Sequence, residues 1–136
     1  YPSQEADPAA TMAGAPASLG GIKQMMKALK QGQAVGVLPD QVPPAGMGVW
    51  ADFFGHSAYT MTLGAKLAQQ TGATLLLAVG QRLPCGRGYR VWVEPAPQAL
   101  PPDAEAAARC INQWMEGLIR RYPEQYLWAY ARYKQP

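Results

Sequence analysis

Ala107, Cys110, Ile111, Trp114, Met115, Leu118, Ile119 and Tyr122 fall at offsets 0, 3, 4, 7, 8, 11, 12 and 15. That spacing lays an apolar stripe along an amphipathic helix of about four turns. A helix of this kind has to bury its stripe, so the rest of the chain must offer a sheet or further helices to receive it. Asp103 is placed to cap the helix start, and Pro123 interrupts it. Pro95, Pro97, Pro101 and Pro102 make a stiff connector ahead of it.

Other segments alternate between helical and strand patterns. Ile22, Met25, Met26 and Leu29 share one helical face, with Lys23, Lys27 and Lys30 elsewhere on it, and Gly32 is placed to end the helix. The lysines read as a solvated face. Residues 34–38 form a short apolar run between Gly32 and Pro39, which predicts a buried strand. Residues 49–55 predict a second extended segment ending at Gly55. Residues 58–71 predict a helix, with Thr60, Gly64, Leu67, Ala68 and Thr71 on one face, Ser57 or Thr60 as cap, and Gly72 as stop. Residues 74–79 and 89–94 predict strands joined by a turn-rich connection. The expected fold class is α/β, a mixed sheet flanked by helices, because the last two strands are joined too closely for a parallel crossover. Residues 1–20 carry Pro2, Pro8 and Pro16 without apolar periodicity, and read as a flexible arm or loop ahead of a domain over residues 21–136.

With 136 residues, 49% of them apolar, the chain has enough material for one real core. Charged residues are 15%, against about 25% in an ordinary soluble domain. Either some surface faces a partner, more chain or a lipid interface, or the domain is simply rich in Ala, Gly and Pro. The net charge of +3 is compatible with phosphates or anionic lipid and too small to argue for nucleic acid, for which no basic run or signature exists. No apolar stretch approaches the roughly 20 residues of a membrane span. Cys85 and Cys110 form no CxxC motif, and two lone thiols is a simpler reading than a bridge. With His56 as the sole histidine and no Cys/His cluster, metal binding is not expected.

Few residues offer chemistry. No GxSxG and no phosphate-loop motif occur. His56 is a candidate general base but lacks a sequence-adjacent acid to orient it, other than Asp52. Asp40 and Gln41 follow an expected strand end, where ligand groups gather in α/β sheets. A carboxylate and an amide there either orient a hydroxyl or arginine, or serve a structural turn.

Five short pieces in order carry a family resemblance. They are Lys27-Ala28-Leu29-Lys30-x-Gly32; Pro39-Asp40-Gln41; Phe53-Phe54-Gly55-x-x-Ala58-x-Thr60; Leu67-Ala68-x-x-Thr71-Gly72-Ala73; and the closing run from Ile119 through Trp128 to Ala131-Arg132-Tyr133-Lys134. Over about residues 20–136 the chain resembles the lauroyl/myristoyl acyltransferases of lipid A biosynthesis, in the lysophospholipid acyltransferase superfamily. The family's tail usually reads Trp-x-Trp-x-His-x-Arg-aromatic-Lys. Here Tyr126 and Tyr130 replace the first Trp and the His.

The resemblance implies acyl transfer from an acyl carrier protein thioester to a hydroxyl of a lipid A precursor, with no further cofactor, at the cytoplasmic face of the bacterial inner membrane. It implies groove residues Asp40 and Gln41, and substrate contacts by Phe53, Phe54, Gly55, Thr60 and Arg132. Thr60 would cap the following helix, and Arg82, Arg120, Arg121, Arg132 and Lys134 would meet lipid phosphates. The family's His-x4-Asp/Glu dyad is absent, since Met61 stands five residues after His56. The expected chain is therefore the carboxy-terminal part of such an enzyme, inactive alone. It would be prone to self-association through uncovered sheet edges. The rival readings are a non-enzymatic membrane- or partner-binding module and an unrelated small enzyme using His56.

Overall fold

The computed structural model describes Gly14 and residues 18–136. The arm expected over residues 1–20 therefore lies almost wholly outside the described residues. The chain divides into two compact units, Tyr1–Val35 and Gly36–Pro136.

In the first unit, α1 spans Leu19–Lys30. Ser18 caps it, its Oγ accepting the Gly21 N–H at 3.2 Å, and Gly32 closes it at φ +76°. Lys23, Lys27 and Lys30 are exposed, as their spacing predicts. The run 34–38 does not form the expected strand. It enters no ladder, and Leu38 is 64% exposed. A buried strand exists only with neighbours to bond its backbone, and this run has none among the described residues.

The second unit runs β1 (Gly48–Phe53), β2 (His56–Met61), α2 (Leu63–Thr71), β3 (Leu76–Arg82), β4 (Tyr89–Pro95) and α3 (Ala104–Arg121). A short 3-10 turn, Pro123–Gln125, follows α3 at the proline that interrupts it. The α/β class holds, but the strands form no single mixed sheet. They make two separate two-stranded antiparallel hairpins, β1 with β2 and β3 with β4.

The predicted helix over 58–71 is corrected in its first turn. Residues 58–61 belong to β2, where Ala58 pairs with Ala51 and Thr60 with Val49. Helical spacing was present in this stretch, but Tyr59 and Thr60 are strand-favouring, and the chain reverses just before them. Thr62, not Ser57 or Thr60, precedes α2, and it makes no side-chain cap bond. The Gly72 stop is as expected, at φ +70°.

Only two residues, Phe54 and Gly55, connect β1 to β2, and both have positive φ, 48° and 77°. A two-residue hairpin needs that geometry to match the strand twist. Glycine adopts it freely, whereas phenylalanine does so at a cost of about 1–2 kcal/mol.

The core lies between this hairpin and α3. Phe53, Ala58 and Ile119 form one buried cluster, and Ala65 of α2 packs with Ala107 and Ile111 of α3 in another. Asp103 caps α3 by accepting the Ala106 N–H at 2.8 Å. The β3–β4 hairpin is differently placed. Its paired residues Ala78 with Val93, Gly80 with Val91, and Arg82 with Tyr89 share one face, and all six are exposed.

A Cβ on Gly55 would meet no atom within 4 Å, so substitution there tests backbone conformation alone. Gly55→Ala should lower the unfolding free energy by about 1 kcal/mol. Denaturant unfolding checks this, and an unchanged midpoint would show that the turn tolerates a Cβ.

Candidate functional site

Residues 126–134 cross the β1–β2 hairpin as a series of turns. Their anchor is Arg132, only 3% exposed. Its Nη1 donates to the Tyr59 carbonyl at 2.9 Å. Its Nη2 donates to Thr60 Oγ1 at 2.8 Å and, more weakly, to Asn112 Oδ1 at 3.4 Å. The guanidinium lies 5.1 Å from the centre of the Phe53 ring. Thr60 Oγ1 donates to the Ala58 carbonyl and accepts from both Arg132 and the Asn112 amide. That uses the full bonding capacity of a hydroxyl. Asn112 also donates to the Asp52 carbonyl at 3.0 Å. Three elements thus meet on one side chain.

Arg132 is held by neutral acceptors, and none of the three ion pairs among the described residues includes it. Burial pulls its pKa below the usual guanidinium value. It remains a cation at neutral pH, as arginine does in proteins. Its Nε and the Tyr126 hydroxyl are buried without a hydrogen-bond partner among the described residues. Burial, and then the negative charge of the nearby Asp40, push the Tyr126 pKa up to about 12. The same Asp40 charge acts on Arg132. Asp40 is half-buried and Gln41 exposed, on a turn whose one internal bond is the long Gln41 N–H to Leu38 carbonyl contact at 3.4 Å.

Tyrosines complete the enclosure. Tyr133 donates its hydroxyl to the Phe53 carbonyl at 2.8 Å. The Tyr59 hydroxyl accepts the N–H groups of Gly46 and Gly48 at 2.9 and 3.1 Å. Gly48 is required there, since a Cβ would sit 2.6 Å from the Thr60 carbonyl oxygen. At the hairpin tip the Phe54 N–H donates to Glu116 Oε1 at 2.7 Å. The Phe54 ring meets Phe53 edge-on at 4.8 Å, Trp128 at 5.9 Å and the Arg120 guanidinium at 5.3 Å. A cavity of about 280 Å³ opens here, lined chiefly by Phe53, Tyr126, Trp128, Tyr130, Arg132 and Tyr133. A second cavity, beside the end of α2, has no titratable side chain in its lining.

Of the residues singled out from the sequence, Asp40, Phe53, Phe54, Thr60 and Arg132 come together, Gly55 forms the tip beside them, and Gln41 rides on the Asp40 turn. Thr60 is a buried strand residue that binds Arg132 rather than a helix cap. Arg121 is taken up by a two-pronged pair with Glu94 at 2.8 and 2.9 Å. Arg120 stacks on Phe54, and Lys134 lies 5.4 Å from the Tyr130 ring centre. His56 is exposed and meets the Tyr133 ring edge-on at 5.8 Å, with no carboxylate paired to it among the described residues. Asn112, Glu116, Tyr59 and Tyr130 were not foreseen. Asn112 carried a signal, for it lies four residues after Ala108, three before Met115 and seven before Ile119, a polar residue on the apolar side of the helix.

Residues 12–135 match the family described as bacterial lipid A biosynthesis acyltransferase. The chain is 37% identical over 116 residues to a lipid A biosynthesis lauroyltransferase of Escherichia coli (strain K12), covering 83% of this chain and 38% of that protein. It is 34% identical over 114 residues to a lipid A biosynthesis palmitoleoyltransferase of the same strain, covering 83% and 37%. A lipid A biosynthesis acyltransferase of Haemophilus influenzae is 31% identical over 109 residues, covering 79% and 34%. The chain therefore spans less than two fifths of the length of the curated relatives it matches.

Arg132→Lys should cost about 2–3 kcal/mol of stability, because a single ammonium nitrogen lacks the planar fork whose two Nη atoms reach the Tyr59 carbonyl on one side and Thr60 and Asn112 on the other. Adding Thr60→Val should cost less than its effect alone, since both break one network. Denaturant unfolding of the two single variants and the double variant checks this, and strict additivity would dissolve the network.

Proposed function

Because the chain belongs to the bacterial lipid A biosynthesis acyltransferase family, we propose that the complete protein transfers a fatty acyl chain to a hydroxyl of a lipid A precursor. The donor in this reading is an acyl carrier protein thioester. The hydroxyl oxygen bonds to the thioester carbonyl carbon, the carbon–sulfur bond breaks, and the proton ends on the departing thiol. What supports the reading most is the joining of two facts. The family match runs through Asp40, Phe53, Phe54 and Arg132; Phe53 and Arg132 line one aromatic cavity, Phe54 packs on its Phe53 and Trp128 walls, and the Asp40 charge acts on its Tyr126 and Arg132.

Each has a role in this proposal. Asp40 orients the acceptor by hydrogen bonding, with Gln41 next to it. Phe53 and Phe54 form an apolar wall for the acyl chain, and the Gly55 turn fixes their angle. Arg132 and Thr60 hold that wall in place from beneath. His56 is exposed and has no paired carboxylate among the described residues, so in this reading the chain alone does not turn over substrate.

The setting is the cytoplasmic face of the inner membrane. Leu127 and Trp128 are 69% and 58% exposed, and Arg120 lies beside them across the Phe54 ring. Apolar and aromatic groups with a cation are the residue types favoured at a lipid interface. No helix among the described residues is long and apolar enough to cross a membrane.

The complete protein, given acyl carrier protein thioester and lipid A precursor, should yield acylated product, and Asp40→Asn should slow it by roughly tenfold or more. No product from the unsubstituted protein sinks the proposal, and product from residues 1–136 alone overturns the need for a base from elsewhere. Unsupported by further protein, this chain should self-associate through the exposed β3–β4 face. A concentration-independent monomer in solution scattering would refute that.

A further inference from the structure

The Val42 N–H donates to the Tyr130 hydroxyl oxygen at 2.8 Å, across 88 positions of sequence. We propose that Tyr130 is a positioning residue, which sets the Asp40-Gln41 turn against the aromatic cavity through this bond. The inference rests on the reading that Asp40 borders the acyl-transfer groove.

Few other backbone bonds hold the turn. Upstream, its internal bond is long, at 3.4 Å. Downstream stand Pro43 and Pro44, which have no N–H to give. Val42 therefore carries the last backbone donor before the proline pair, and its partner is the short contact. Pro43 itself is buried, so the chain leaving the turn is fixed in place. Asp40 and Gln41 lie between a weak tie and a strong one.

Tyr130 is itself well seated. Its N–H donates to the Leu127 carbonyl at 3.1 Å, and its carbonyl accepts the Arg132 N–H at 2.8 Å. Arg132 is clamped by Tyr59, Thr60 and Asn112. The Tyr130 ring lines the cavity, with the Lys134 ammonium 5.4 Å from its centre. A continuous path of short bonds thus runs from the buried guanidinium to the residue beside Asp40-Gln41. Tyr130 touches no reacting atom on this path and acts through Val42.

Tyr130→Phe in the complete protein deletes only the acceptor oxygen and keeps the ring in its packing. Three readouts follow. Exchange of the Val42 amide hydrogen accelerates, while amides of β2 and α3 keep their protection. The kcat for acyl transfer falls roughly tenfold, with KM for donor and acceptor little changed, as expected when geometry and not binding is lost. In an Asp40→Asn background, Tyr130→Phe has no further effect on kcat, because both changes act on one turn.

Full turnover in the Phe variant overturns the proposal. So does unchanged Val42 exchange, an equal loss of kcat in the Asp40→Asn background, or a loss accompanied by general deprotection of β2 and α3, which would make Tyr130 a packing residue only. Absence of turnover in the unsubstituted protein sinks the acyl-transfer reading instead, and Val42 exchange then still decides whether the tether exists.

Discussion

A buried guanidinium hydrogen-bonded to neutral acceptors, sealed under a two-stranded hairpin, is the constraint on which the rest of this structure turns. A lone hairpin is marginal in water and needs packing on another element to persist. Here α3 covers one face of β1–β2, and residues 126–134 wrap across it. Arg132 joins all three by spending its two Nη groups on the Tyr59 carbonyl, Thr60 and Asn112. Burying a cation among neutral acceptors is costly, and the depressed pKa of Arg132 expresses that cost. An apolar side chain could fill the space, but it could not fix the register of strand, helix and tail together. The arrangement favours specificity of geometry over stability.

The same trade appears at the hairpin tip. Phe54 occupies a left-handed conformation that a glycine would adopt without penalty. It persists because its surroundings determine it several times over. Glu116 accepts its N–H, Phe53 and Trp128 meet its ring, and Arg120 stacks on it. Glu116 and Arg120 are a helical pair on α3, 3.5 Å apart, so one helix face presents both partners to the strained turn. Strain of this kind collects where position matters. It lies beside the cavity lined by aromatic rings and the buried Arg132 guanidinium.

How much of this was legible depended on whether the deciding interaction was local. The apolar stripe of α3, the Asp103 cap and the Gly32 and Gly72 stops are local, and they stand as read. The chemistry of residues 58–61 was not. Ala58, Thr60 and their neighbours fit a helix by spacing, and pairing with residues 48–51 made them a strand. The run 34–38 failed for the opposite reason, since a buried strand is a property of its neighbours more than of its own sequence. In the site, the resemblance picked out Asp40, Phe53, Phe54, Gly55, Thr60 and Arg132 without saying how they meet. Thr60 was given a cap's role, although its hydroxyl is committed to Arg132 and Asn112. Tyr59 escaped notice, and Tyr130 was marked only as standing where the family's tail has His, because a tyrosine hydroxyl that accepts backbone N–H groups many residues away leaves no pattern in a single sequence.

The two hairpins of the second unit show what those distant bonds accomplish. β1–β2 is clothed on its inner face, and its tip and loop are fixed by side chains from α3, the tail and Tyr59. The six exposed residues of β3–β4 named above have no such cover, although Val91 and Val93 are as apolar as anything in β1. Intrinsic hydrophobicity therefore does not decide which hairpin is buried. What separates them is the polar wiring, because Arg132, Asn112, Glu116 and Tyr133 all bond to the first hairpin. The second receives one such tie, the exchange between Gln125 and the Arg82 backbone at 2.7 and 3.2 Å, besides the exposed Arg121–Glu94 pair. Long-range side-chain bonds in the second unit are thus concentrated on the hairpin where the candidate site lies.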